Sequence, residues 1–247
     1  LDRNLVSSLY GRTMRTSVSR LETFAACPFQ HFARDGLGLK EREVYKLEPA
    51  DAGVFLHAAL RGFIEEVSRE GLDWGSLGEK DALRIIDAEV DALSRDLSNE
   101  IFASSARYKH VSKALRRIIR RAGRTLLIQV QRGEFRPVAA EVLFGFKDGP
   151  KPLRIVLPSR EEVLLRGQID RIDAATGQGG PYIRIVDYKS SRRNLDLIDV
   201  YHGLALQLLV YLLVATESWP DISKSISPNL LKGLSGDAPR PAGALYF

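Results

Sequence analysis

Cysteine is almost absent from this 247-residue sequence: Cys27 stands alone, so no intramolecular disulfide framework exists and the chain suits a reducing cytosol. Histidine is scarce as well, and its four copies are too scattered to supply the multi-histidine ligand set of a small-molecule metallohydrolase. No apolar run is long. The greasiest stretch, "LALQLLVYLLVA" at 204–215, is shorter than the roughly 20 residues that a spanning helix needs. The opening "LDRNLVSSLYGRTMRTS" is interrupted by charges and leads into no apolar h-region, so it is not expected to be a signal peptide. Internal repeats and low-complexity tracts are missing too. These absences leave a soluble cytoplasmic protein with no membrane partner as the expectation.

What is present is an ordinary globular composition, 45% hydrophobic and 27% charged, in a chain long enough for one large domain and its core. The net charge of +5 permits a polyanionic partner such as nucleic acid without requiring one. The start without Met and the apolar close on "GALYF" suggest a piece of a longer polypeptide. Residues 1–16 read as a linker from an upstream region. Residues 17–135 read as helical: Ser19 with Glu22 has capping-box spacing, Asp51 is a candidate N-cap after the charged link "KEREVYKLEP", and two further helices follow, the last from about Ala106 to Gln131. At Pro137 the period changes to strands, "VAAEVLFGF", "LRIVL", "EVLLRGQIDRIDAA" and "YIRIVDYK", with "TGQGG" as a turn. One helix, roughly Leu197 to Glu217, completes a part spanning 136–217, and 218–247 is a loop with a final strand. The order predicts a single mixed α/β domain.

The strand "YIRIVDYK" ends on Asp187 and Lys189, whose side chains share a face because strands have a period of two. Paired positions in a hairpin have a constant sum, so a turn centred near Gln178 or Gly179 brings Asp170 of "GQIDRID" opposite Asp187. Directly opposed Cβ atoms lie roughly 4.5–5.5 Å apart. Two carboxylates at that separation repel, and a divalent cation between them removes the conflict. The alternative is a pair of acids at a wet sheet edge, matched with Arg166 or Arg171.

Other residues stay open on local grounds. Gln207 and Tyr211 lie one helical turn apart in an apolar run, so Gln207 either satisfies nearby backbone or faces a polar site. His57 sits in a mostly apolar helix, where a core histidine is the more frequent case. Cys27 reads first as a small buried hydrophobe. The long helix carries Lys109, Lys113, Arg116, Arg117, Arg120, Arg121 and Arg124, most of them in one basic stripe, with Leu115, Ile118 and Ile119 available to pack inward; it is either a solvated face or a phosphate-tracking wall.

Taken in order, "SVSRLETFAACPFQHFARDGLGLKERE", "DAGVFLHAALRGF", "LRGQIDRID", "VDYKSS" and "GLALQLLVYL" resemble RecB-type nuclease domains of the PD-(D/E)XK superfamily, in particular AddB-type domains of bacterial AddAB helicase–nucleases. The likeness covers about residues 17–215. It implies a restriction-endonuclease-like core, a mixed sheet flanked by helices. It also implies catalytic roles for Asp170, Asp187, Lys189, Gln207 and Tyr211. The metal, Mg2+ or Mn2+, is then expected on His57, Asp170, Asp187 and the backbone carbonyl of Tyr188, with Glu141 a further candidate acid. Single-stranded DNA is the expected substrate and an AddA-type subunit the expected partner, in nucleoid-associated double-strand break repair. Lys113, Arg116, Arg117, Arg120 and Arg124 become DNA-binding candidates. Such domains hold a [4Fe–4S] cluster on four cysteines; Cys27 matches the first and the others are absent, so a cluster is expected only in a longer chain. The alternative function is a non-catalytic or weakly active DNA-binding or assembly module.

Overall fold

Sixteen residues rich in Val, Ile and Leu, Glu162–Gly177, extend into one long strand that touches four others. This is β4 of the computed structural model, which describes residues 8, 11–40, 49–97, 106–147, 149–178, 180–189, 193–226, 228, 230–231, 234 and 238–247, without the side chains of 49–51, 96–97 and 106–112. The first half of β4 pairs in parallel with β1 (Thr13–Ser17) and antiparallel with β3 (Leu153–Val156). Its second half lies antiparallel to β2 (Arg136–Phe144) on one side and β5 (Gly180–Asp187) on the other. A final strand, β6 (Arg240–Tyr246), runs parallel to β5. The result is a mixed α/β fold with six strands among the described residues. Thr13–Ser17 reads in sequence as the end of a linker because its short, polar "TMRTS" carries no apolar alternation; main-chain pairing places it in the sheet.

Helices cover both faces of the paired half of this sheet. One face, carrying Ile172, Ala174, Ile183 and Ile185, packs against α7 (Gln207–Glu217) through Leu208, Val214 and Ala215. On the other face sit α3 (Pro49–Arg69), α4 (Glu79–Leu97) and α5 (Ala106–Arg132). These three build a second core from Phe63, Ile85, Ile86, Ile119, Leu126 and Val130, all fully buried. Leu60 joins the two by packing against Val186 and Tyr188. The register of α3 is thereby set, and His57, one turn earlier on the same face, is carried to the end of the sheet. No helix among the described residues is long and apolar enough to cross a membrane.

Several local expectations shift. The first helix, α1 (Val18–Ala26), is capped by Ser17, whose hydroxyl accepts from Arg20 N, rather than by Ser19. Asp51 lies inside α3, which starts at Pro49, a residue suited to a first helical turn. The link over 41–48 lies outside the described residues. The helix expected over 197–217 is two, α6 (Leu197–Tyr201) and α7. Gly203, at φ 76, ends α6: Gly203 N donates to Val200 O and Leu204 N to Asp199 O. That break makes Gln207 the first residue of its helix.

The basic stripe resolves into an interhelical seam. Arg116 pairs with Asp91 and lies 3.7 Å from Asp87, Arg120 lies 3.8 Å from Asp87, and Arg124 reaches Glu79 at 2.7 Å. Lys113 and Arg117 are exposed and have no ion-pair partner among the described residues. Ile119 and Leu115 turn inward as expected, whereas Ile118 faces outward. Stability follows the apolar side of α5: Ile119→Ala costs about 2–5 kcal/mol in chemical denaturation. Arg116→Gln, breaking a half-exposed pair, costs less than about 1 kcal/mol. Equal losses in the two variants would contradict this packing.

Candidate metal and phosphate site

Three acids lie side by side across three strands. The β4–β5 ladder runs from Gly177↔Gly180 to Arg171↔Val186, and one further step in that register sets Asp170 opposite Asp187, as the hairpin arithmetic anticipates. On the other flank Ala140↔Arg171 and Val142↔Ile169 place Glu141 opposite Asp170. Asp170 and Asp187 are buried, and neither pairs with Arg166 or Arg171, so the wet-edge alternative does not describe them. Glu141 holds φ 53, a left-handed conformation that is costly for a residue with a Cβ and that clusters at functional sites.

His57 reaches this row from α3. Its Nδ1 lies 3.3 Å from Glu141 Oε1 and 3.6 Å from Asp170 Oδ1, and its Nε2 lies 3.3 Å from the Tyr188 carbonyl. Asp170 Oδ2 accepts from the Tyr188 N–H at 2.8 Å. Donor atoms of His57, Glu141 and Asp170 all fall within 4.8 Å of one another. Two carboxylates, an imidazole and a nearby carbonyl are a donor set suited to Mg2+ or Mn2+. Glu141, rather than Asp187, completes this cluster. Gln168 donates to Glu141 Oε2 from the same rim.

Asp187 faces a cation instead: its Oδ2 is 2.7 Å from Lys189 Nζ. The ammonium also donates to Gln207 Oε1 at 3.1 Å and lies 6.0 Å from the Tyr246 ring centroid. Gln207 therefore faces the polar site, not nearby backbone. Its helix is capped from afar, because Glu22 Oε1 accepts from both Leu206 N (2.7 Å) and Gln207 N (3.0 Å). Tyr211, one turn on, is buried edge-on to Phe144 at 5.8 Å. Burial first, then the Asp187 and Asp170 charges, push its hydroxyl pKa up, so it is a neutral donor. Gly167 permits this approach, since a Cβ there would lie 2.9 Å from Phe144 Cε1 and 3.2 Å from Tyr211 Cε1. A cleft of about 730 Å3 opens over His57, Glu141, Gln168, Asp170, Tyr188 and Lys189.

Other sequence candidates lie elsewhere. None of Lys113, Arg116, Arg117, Arg120 and Arg124 lines that cleft. Cys27 is half-exposed rather than buried, and its Sγ accepts from Gln30 N at the start of the short helix α2 (Pro28–His31). As the one cysteine of the chain it offers a single thiolate, which does not fit a four-cysteine cluster site. Sequence reasoning misses Glu22 and Gln168: the spacing of Glu22 points to its own helix terminus, and nothing in "RGQID" singles out a glutamine.

Desolvation raises the Asp170 pKa from 3.8 to about 6; the His57 charge opposes this, and Asp187 reinforces it. Burial works against the His57 imidazolium, but its hydrogen bond to Glu141 and the Asp170 charge outweigh it, so the net shift is upward from 6.5. A carboxylic acid with a raised folded pKa keeps a proton that the unfolded chain has lost, so Asp170 favours the fold as pH falls from above 6 towards 4. Cation binding requires the opposite, loss of those protons. Mn2+ affinity therefore falls as pH is lowered from about 8 to about 5.5, and binding releases protons in calorimetry run in buffers of different ionisation enthalpy. An affinity independent of pH would contradict the site. Gly167→Ala costs about 1–3 kcal/mol by overpacking the Phe144–Tyr211 pair, read as a lowered denaturation midpoint.

Comparison with known proteins places this geometry in a lineage. The family model described as "PD-(D/E)XK nuclease superfamily" matches residues 15–247. AddB of Moorella thermoacetica, one of the subunits of an ATP-dependent helicase/deoxyribonuclease, is 46% identical over 247 residues, covering 100% of this chain and 20% of that protein. The AddB proteins of Symbiobacterium thermophilum and Pelotomaculum thermopropionicum are 44% and 43% identical, with 99% and 97% of this chain and 20% of each relative covered. The chain thus spans about a fifth of the length of these curated relatives. A β4–β5 hairpin that ends in opposed aspartates with a lysine two residues on, together with a family match over nearly the whole length, makes the chain a member of the PD-(D/E)XK nuclease superfamily.

Proposed function

We propose that this domain is a divalent-metal-dependent deoxyribonuclease acting on single-stranded DNA, within an AddAB-type helicase–nuclease that includes an AddA-type subunit. The observation that carries the reading is the convergence of His57, Glu141 and Asp170 donor atoms within 4.8 Å, beside an ammonium held by Asp187 and Gln207. A nuclease needs an activated water and a counter to charge building on phosphate oxygens. A bound Mg2+ supplies both.

In this reading His57, Glu141, Asp170 and the Tyr188 carbonyl would hold the ion. Lys189 places a positive charge where the phosphate gains negative charge, in a low-dielectric site where such contacts are strong. Asp187 and Gln207 fix the direction of that ammonium. Tyr211, buried beside Phe144, stays a neutral hydroxyl near the Asp187 and Asp170 charges. Lys113 and Arg117 remain the stripe residues available to track a DNA backbone, whereas Arg116, Arg120 and Arg124 are engaged by α4.

The test is cleavage of labelled single-stranded DNA during Mg2+ and Mn2+ titration. Lys189→Ala lowers the rate by about 10²–10³-fold with the fold intact by circular dichroism. Asp170→Asn abolishes the metal-dependent signal. Undiminished cutting by either variant sinks the assignment, and DNA binding without cutting by the unmodified chain returns the domain to the assembly-module reading.

A further inference from the structure

Arg171 is a fully buried guanidinium one residue beyond Asp170, and the site chemistry makes no use of it. Side chains alternate along a strand, so Arg171 leaves β4 on the face opposite Asp170, as Tyr188 leaves its strand end opposite Asp187. Behind the site the two meet. Arg171 Nη1 donates to the Tyr188 hydroxyl at 3.2 Å, and its guanidinium carbon lies 5.6 Å from the Tyr188 ring centroid and 5.5 Å from that of Phe247.

Asp173, itself fully buried, holds Arg171 by a hydrogen bond from Nη2 to Oδ2 at 3.1 Å and by an ion-pair contact of Nε with Oδ1 at 2.8 Å. Arg184 adds a second cation to the same carboxylate at 2.8 Å and stacks 4.7 Å from the Phe135 ring centroid. Burying such a network is poor value for stability, since well-packed apolar residues of similar volume often do as well or better. What a close ion pair with a directional hydrogen bond adds is a fixed orientation.

The object so oriented is Tyr188, whose peptide is part of the site. Its N–H holds Asp170, and its carbonyl faces His57. The flanking residues are pinned by backbone: Phe247 N donates to Asp187 O at 2.9 Å, and Lys189 N donates to Phe247 O at 3.1 Å. Backbone-to-backbone bonds thus anchor Asp187 and Lys189, while the peptide of the residue between them meets only the site side chains Asp170 and His57, and its ring is what fastens it to the fold behind.

We infer that Arg171, locked by Asp173, is a positioning residue: it holds the Tyr188 ring from behind so that the peptide presents its carbonyl to the metal site. This rests on the metal-binding reading above. The experiment measures Mn2+ affinity by calorimetry, alongside melting temperature, for the 247-residue chain, Tyr188→Phe and Arg171→Met. Tyr188→Phe removes one hydroxyl, keeps the ring's contacts with Arg171, Phe247 and His57, and weakens Mn2+ binding by about tenfold, the usual size of an outer-shell loss, with a smaller fall in melting temperature than Arg171→Met. Arg171→Met weakens it at least as much. Wild-type affinity in Tyr188→Phe overturns the inference even if Arg171→Met fails to fold. A parent chain that takes up no Mn2+ removes this inference together with the metal site. A parent that binds Mn2+ but leaves DNA uncut sinks only the catalytic reading, and the variant affinities still decide the role of Arg171.

Discussion

Like charges crowded into low dielectric are the constraint around which this molecule is arranged. Glu141, Asp170 and Asp187 occupy neighbouring strands in direct register, and strand spacing gives them no room to separate. Each is matched by a different device. His57 bridges the first two, the Tyr188 N–H takes one oxygen of Asp170, and Lys189 answers Asp187. Removing the devices would leave uncompensated buried charge, which costs far more than any one contact returns.

Those devices come from different layers, which explains why the helices lie where they do. The helical half supplies the imidazole, and it can do so because Leu60 docks α3 on Val186 and Tyr188. The opposite layer supplies Gln207 and Tyr211, whose helix begins where Gly203 stops the preceding one. The α7 face of the sheet packs through apolar side chains, the α3 face does so around the buried Arg171–Asp173 pair, and the end of the sheet between the layers is polar. A cleft at the seam of two cores is where a polar site costs the fold least.

Much of this is legible in the residues, and the limits have physical causes. The β4–β5 register follows from counting because a short turn leaves little slack, so Asp170 and Asp187 can be paired in advance. His57 cannot be assigned locally, since what distinguishes it is Glu141, 84 positions away. Glu141 itself depends on a strand pairing across a longer connection and on an unusual φ that no composition signals. The basic stripe cannot be resolved from sequence because periodicity reports which side chains share a face and not what lies against it; α4 presents Asp87, Asp91 and Glu79 there. Short β1 escapes notice because its pairing is made by main chain, to which side-chain patterns are blind.

Glu22 sits far from Leu206 and Gln207 in sequence, yet one of its oxygens holds both of their amides. Contacts of such long range form late, after the entropy of closing a large loop has been met. During synthesis the helix that steadies Lys189 has no distant cap until both segments have left the ribosome and met. A half-made or locally opened chain that lacks this cap has its acids and its lysine without the helix terminus that steadies Gln207 beside them.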